Sequence, residues 1–276
     1  MRQVFSKDGM IAALRAPARA KSIASGGRGD RDDTVRFGDV VEHPIKFTRE
    51  HTASSSLCIL YTDSLVSVEA WIVERLAERE GLFFGLDTES RPNFSGGAPE
   101  DPMVLQLSTL RHACVFQMNA SKAALTEASA AAPLLYGLLF PLASNATPLL
   151  LGAGAPAVPL IGMGVRQDLI ALEKVFGFRL DGDSLYTASK EAAKQIRRTR
   201  HPHALDLDRC KSGGLLAIAQ SLTGVAKWKS KSLQMSQWQK FPLARSRVAY
   251  AAMDAWAGAA VYHYYIVNPP FPPPIW

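Results

Sequence analysis

At 276 residues, 47% hydrophobic and 20% charged, the chain has the size and balance of one globular domain, at most two. Its formal net charge of +6 favours a polyanionic partner, and charge alone does not separate nucleic acid from an acidic membrane surface. Three scattered cysteines, Cys58, Cys114 and Cys210, offer no Cys-x-x-Cys pair and no Cys/His ligand spacing, which argues against a disulfide framework and a structural zinc.

Residues 1–55 show no sustained periodicity and are read as a loose basic arm. Arg2, Lys7, Arg15, Arg19, Lys21 and Arg28 stand there against the single acid Asp8 in the first 29 residues. That composition fits either an organellar transit peptide or a disordered arm. The globular part is expected over 56–267. After Ser67, read as an N-cap, the spacing of Val68, Trp71, Ile72 and Leu76 predicts a helix at about 68–79. Leu82-Phe83-Phe84-Gly85-Leu86 is a short apolar run, read as a strand buried on both faces. Met103–Thr109 and Ala113–Met118 read as its antiparallel neighbours. A helix near 133–140 and a strand near 158–162 follow, with helices at about 165–176, 184–197, 213–222 and 244–266. No repeat is evident. The stretch 128–165 carries no charge, but Pro141, Pro148, Pro156 and Pro159 break every window long enough to cross a membrane, so no span is expected. The tail 268–276 holds five prolines and reads as extended. Strands followed by helices interleaved with a further strand predict an α/β fold, a mixed sheet flanked by helices.

Three short pieces carry chemistry. Asp87-Thr88-Glu89 is placed at the end of the first strand, where alternation puts both carboxylates on one face. Two such charges 4 Å apart repel by about 4 kcal/mol at an effective dielectric of 20, and a divalent cation between them reverses the sign. A solvated strand end gives the same letters. Asp168 follows Ile161-Gly162-Met163-Gly164 in the first turn of a helix whose apolar face is Val165, Leu169, Leu172 and Phe176. Complementing the helix dipole would alone account for an acid there. Tyr250 and Asp254 lie four residues apart on the last helix and share a face. Alanines at 249, 251, 252 and 255 allow that helix to approach the sheet closely.

In this order the three pieces resemble the exonuclease motifs of the DEDD superfamily, in its tyrosine-bearing branch. The flanking sequence resembles the Werner-syndrome-type exonuclease domain, related to ribonuclease D. Phe84-Gly85-Leu86-Asp87-Thr88-Glu89, Leu105-Gln106-Leu107-Ser108-Thr109, Lys231-Ser232-Leu233-Gln234-Met235-Ser236-Gln237-Trp238 and Tyr250-Ala251-Ala252-Met253-Asp254 carry the likeness, over roughly 57–266. Three departures bear on loop geometry and substrate choice: Ser90 where an aromatic is common, a long stretch between the first two motifs, and no Ser or Thr directly after Leu243. The resemblance implies a ribonuclease H-like fold and a 3′→5′ exonuclease using two Mg²⁺ or Mn²⁺ ions. It implies that Asp87 bridges the ions and that Glu89 and Asp254 complete the first. Asp168 would hold the second through water, and Tyr250 would orient the attacking water. A catalytically silent binding module of the same fold is the alternative, and the complete acid set argues against it.

From Arg209 to Met253 there are eight cations and no acid, interleaved with Trp228, Trp238 and Phe241. Cations tracking phosphates beside aromatics that stack on bases make a single-strand footprint. Thr88, Lys227, Lys229, Lys231 and Trp238 are the expected nucleic-acid contacts, although Trp238 placed under the last helix would fit equally. DNA is expected over RNA, because the chain ends soon after the last helix. The nucleus is the expected compartment, an organelle if the basic segment is a transit peptide. His201-Pro202-His203 with Asp206 is read as a solvated loop, and Gly152-Ala153-Gly154 lacks the residues of a phosphate loop.

Overall fold

The computed structural model describes residues 35–45, 55–78, 83–92, 100–118, 125, 128–142, 157–177, 201–207 and 214–267. The helix expected at 184–197, the basic N-terminal segment up to residue 34 and the proline tail lie outside these residues.

Seven strands form one mixed sheet: β1 (Val40–Ile45), β2 (Ser55–Thr62), β3 (Phe84–Ser90), β4 (Pro102–Ser108), β5 (His112–Gln117), β6 (Leu160–Gly162) and β7 (Ala204–Asp206). They lie side by side in the order β1-β2-β5-β4-β3-β6-β7. The β3-β4-β5 pairings are antiparallel, as their spacing predicts, while β6 runs parallel to β3 and β7 parallel to β6. The helices are α1 (Leu65–Ala77), α2 (Ala128–Ala131), α3 (Pro133–Leu139), α4 (Val165–Val175), α5 (Gly214–Thr223), α6 (Lys231–Gln234) and α7 (Arg245–Val267). The expected α/β architecture is the one found. Among the described residues no helix is long and apolar enough to cross a membrane.

Two expectations are corrected. Residues 1–55 are not all loose, because β1 pairs with β2 in register from Val40↔Leu60 to Ile45↔Ser55. An edge strand tolerates Pro44, whose missing N–H can face away from the ladder. The N-cap of α1 is Ser64 instead of Ser67: Ser64 is extended at φ −99°, and its Oγ accepts from the Ser67 amide at 3.4 Å. Either serine suits the cap chemically, and starting at Ser64 gives the helix almost one more turn.

Alternation along β3 divides its side chains between two cores. Phe84 and Leu86 face the layer of α1, α3 and α4, where Trp71, Leu135 and Leu169 are buried. The other face carries α5 and α7, with Ile161, Tyr250, Met253 and Trp256. On that face α7 lies directly on the backbone of the sheet. A Cβ on Gly85 would sit 1.8 Å from the Ala255 carbonyl oxygen, and one on Gly258 2.5 Å from that of Ile161. Hydrogen only at these two crossing points, with Ala251, Ala252 and Ala255 fully buried between, brings the helix down onto β3.

Candidate active site

The ladder of β3 with β4 continues through the carboxylates, pairing Asp87 with Gln106 and Glu89 with Val104, and shifts register only between Glu89 and Ser90. The Asp-x-Glu pair therefore sits inside the strand, where its burial gives way to partial exposure, and not beyond its end. Asp87 and Glu89 share the α7 face. The close approach of α7 then sets Asp254 beside them, and oxygens of Asp87, Glu89 and Asp254 lie within 4.8 Å of one another. Asp254 is only 2% exposed.

Asp168 comes from the opposite layer. Gly164, at φ +74°, caps α4, and the Asp206 carboxylate accepts its amide at 3.0 Å, fixing where the helix begins. Thr88, whose side chain alternates to that face, donates its hydroxyl to Asp168 Oδ1 at 2.7 Å. The charge of Asp168 nonetheless reaches the pair on β3. Burial, then Asp168, then Asp254 and Glu89 hold Asp87 well above the usual carboxylate range. Burial and Asp254 push Glu89 up to about 8, with the Lys229 ammonium opposing the rise. Such strain among four acids is the electrostatic mark of a place that takes a cation.

Two neighbours occupy Asp254. The Trp228 indole donates Nε1–H to Oδ1 at 2.6 Å, and Lys229 Nζ lies 2.9 Å from Oδ2. Tyr250 sits one turn earlier on α7. Burial, with the fields of Asp254 and Glu89, holds its phenol above its ordinary value, so it stays protonated and able to donate at any physiological pH. The donor set is all hard oxygen, with no sulfur or imidazole, which fits a hard divalent cation.

A family model described as 3′-5′ exonuclease matches residues 67–265, well over half of the chain. The chain belongs to this exonuclease family. Membership makes it an enzyme that hydrolyses phosphodiester bonds, and it takes in every acid and the tyrosine of the site. Comparison with curated proteins finds no match. Among solved structures, the exonuclease is similar to the Aedes aegypti Nibbler EXO domain at 17% identity and TM-score 0.46, over 80% of this chain and 90% of that one. It is similar to the catalytic core of RRP6 from Trypanosoma brucei at 16% identity and TM-score 0.46, over 82% and 50%. It is also similar to the EXD2 exonuclease domain at 17% identity and TM-score 0.28, over 76% and 89%.

The expected nucleic-acid contacts fare unevenly in the exonuclease. Lys227 and Lys231 are exposed and free to reach a phosphate. Lys229 is paired with Asp254. The Thr88 hydroxyl is given to Asp168 and faces away from the carboxylate pair. Trp238 is a correction: it has no exposed surface and packs with its ring 5.9 Å from Tyr250, so it is core beneath α7 and not a stacking platform. Trp228 is the aromatic that reaches the site, and nothing in its spacing from Asp254 announced it. A half-open cavity of about 290 Å³ borders Trp228 and Tyr250, walled by Val225, Leu233 and Met253 with Lys227 at its side. The His201-Pro202-His203 loop is a second correction. Both histidines are buried, His201 Nε2 lies 3.1 Å from Glu173 Oε1, and burial holds His203 down at about 3.

Proposed function

We propose that the exonuclease removes nucleotides from single-stranded or recessed 3′ ends with two divalent cations, Mg²⁺ or Mn²⁺, held by Asp87, Glu89, Asp254 and Asp168. The observation that carries this is the convergence of Asp87, Glu89 and Asp254 within 4.8 Å, with Asp168 bearing on Asp87 from the other layer. Such cations, when bound, supply the charge that activates a water and neutralises the departing oxygen. The chain's own groups do the rest. Asp87, reached by the charges of all three other acids, would be the central carboxylate holding the cations. The Trp228 indole fixes the Asp254 carboxylate plane. Tyr250, kept protonated, donates a hydrogen bond that orients the water. Hydrolysis bonds that water's oxygen to phosphorus as the P–O3′ bond breaks. A shortened strand with a 3′-hydroxyl and a nucleoside 5′-monophosphate are left. Lys227 and Lys231 meet backbone phosphates, and the apolar cavity beside Trp228 accepts a base of the same strand.

The test is degradation of 5′-labelled single-stranded and recessed substrates. DNA, the polymer expected from the sequence, forms one arm and RNA of the same sequence the other. A ladder shortening from the 3′ end, present with Mg²⁺ or Mn²⁺ and abolished by EDTA, is expected. Cleavage that survives EDTA, or no cleavage of either polymer, would contradict the proposal.

A further inference from the structure

Lys229 is an odd companion for a cation site. Its ammonium sits 2.9 Å from Asp254 Oδ2 and 6.0 Å from the centre of the Tyr250 ring, among the carboxylates that a divalent ion is to share. The other oxygen of Asp254, Oδ1, is held by the Trp228 indole at 2.6 Å. Both oxygens of Asp254 are thus engaged, and of the two partners the lysine is the one that carries a positive charge. Resting on the function proposed above, we infer that Lys229 is a built-in counter-ion: it holds the metal-free carboxylate cluster together and is exchanged for the divalent cation when the site loads.

Three features support exchange over permanent pairing. One ammonium brings a single positive charge to a cluster of acids, whereas a divalent ion brings two and approaches oxygen to about 2.1 Å. The lysine side chain is 29% exposed, and its flexible four-carbon stem can carry the charge outward without unpacking anything. It comes from the coil at 226–230, outside any helix or strand, while Trp228 next to it anchors that coil to Asp254. The indole thus keeps the carboxylate aimed as the ammonium departs. The released charge joins Lys227 and Lys231 on the same segment, so the grip on phosphates is complete only in the loaded enzyme.

Exchange makes lysine and metal competitors, which two experiments on the full chain read directly. Mass-spectrometric measurement of reductive methylation, with and without saturating Mn²⁺, should show Lys229 becoming several-fold more reactive on loading. Lys227 and Lys231, exposed throughout, should stay constant and serve as internal controls. Mn²⁺ titration followed by electron paramagnetic resonance should show Lys229→Met binding the ion about tenfold more tightly than wild type, within the usual span of a coupling between two ligands. A purely structural lysine would give the opposite, a weaker site. Unchanged Lys229 reactivity with Mn²⁺ bound, or unchanged or weaker Mn²⁺ affinity in Lys229→Met, overturns the inference. If Lys229→Met does not fold, the methylation result on wild type decides alone. Wild type that binds no Mn²⁺ at all overturns the proposed function itself, and the exchange with it.

Discussion

Glu89→Gln is expected to cut nuclease activity by about three orders of magnitude while making the metal-free protein more stable. The loss of activity follows from removing one charged ligand, since several kcal/mol of transition-state stabilisation corresponds to about 10³ in rate. The gain in stability follows from where Glu89 titrates. Its folded value is raised to about 8 by burial and Asp254, against an ordinary value of 4.5. Between pH 4.5 and about 8 the folded chain keeps a proton that the unfolded chain has released, so this residue's contribution to stability falls as pH rises through that window. Glutamine cannot titrate and escapes the fall. Melting curves in EDTA should therefore show the variant drawing ahead of wild type from pH 4.5 upward, with the gap complete near pH 8. Saturating Mg²⁺ should close the gap by stabilising wild type through mass action. Equal pH profiles for the two proteins in EDTA would remove the electrostatic basis of the site.

Gly85→Ala should damage fold and function together. The added methyl would meet the Ala255 carbonyl oxygen at 1.8 Å and the Ala259 amide nitrogen at 2.9 Å, both rigid helix backbone. No rotamer change can relieve that contact, so α7 must lift from β3. Overpacking of this kind costs about 1–3 kcal/mol, or roughly 3–10 °C in melting temperature for a domain of this size. Ala255 adjoins Asp254, so the lift also separates the helix carboxylate from the strand pair. Misplacing a catalytic group by about 1 Å costs on the order of 10²-fold in rate. Thermal melting and the strand-degradation assay on the same preparation test both. Wild-type values for both would mean that close packing of α7 does not set the site.

The acids were legible in the sequence because each is tied to local geometry. Alternation alone places Asp87 and Glu89 on one face, and a first-turn position alone aims Asp168 out of the start of α4. The Gly85 and Gly258 contacts explain why Asp254 arrives beside them, and the alanine-rich letters of α7 hinted at that approach. What was hidden depends on partners far away in sequence. Trp238 reads the same whether it stacks on a base or fills a core. Its segment is pinned by Tyr61, whose hydroxyl donates to the Gln117 side-chain oxygen Oε1 and accepts the Leu243 amide at 2.8 Å, while Gln117 Nε2 donates to the Lys240 backbone carbonyl at 2.9 Å. That buried network spans more than a hundred residues of chain and decides the burial. Strand β1 leaves no mark in the sequence because six residues with a proline make no pattern until β2 pairs with them. The histidines at 201 and 203 read as solvated because a proline and a nearby acid accompany them, yet the turn leading into β7 buries both, His201 against Phe140 and Glu173 and His203 against His201. Lys229 reads as one more phosphate contact until the fold lays its coil across Asp254.

Anomalous diffraction from crystals soaked in Mn²⁺ tests the convergence of the acids most directly. A manganese peak is expected at about 2.0–2.3 Å from carboxylate oxygens of both Asp87 and Asp254, bridging strand and helix. Saturated crystals with no peak in reach of Asp87, Glu89 and Asp254, or with manganese bound only elsewhere, would contradict it.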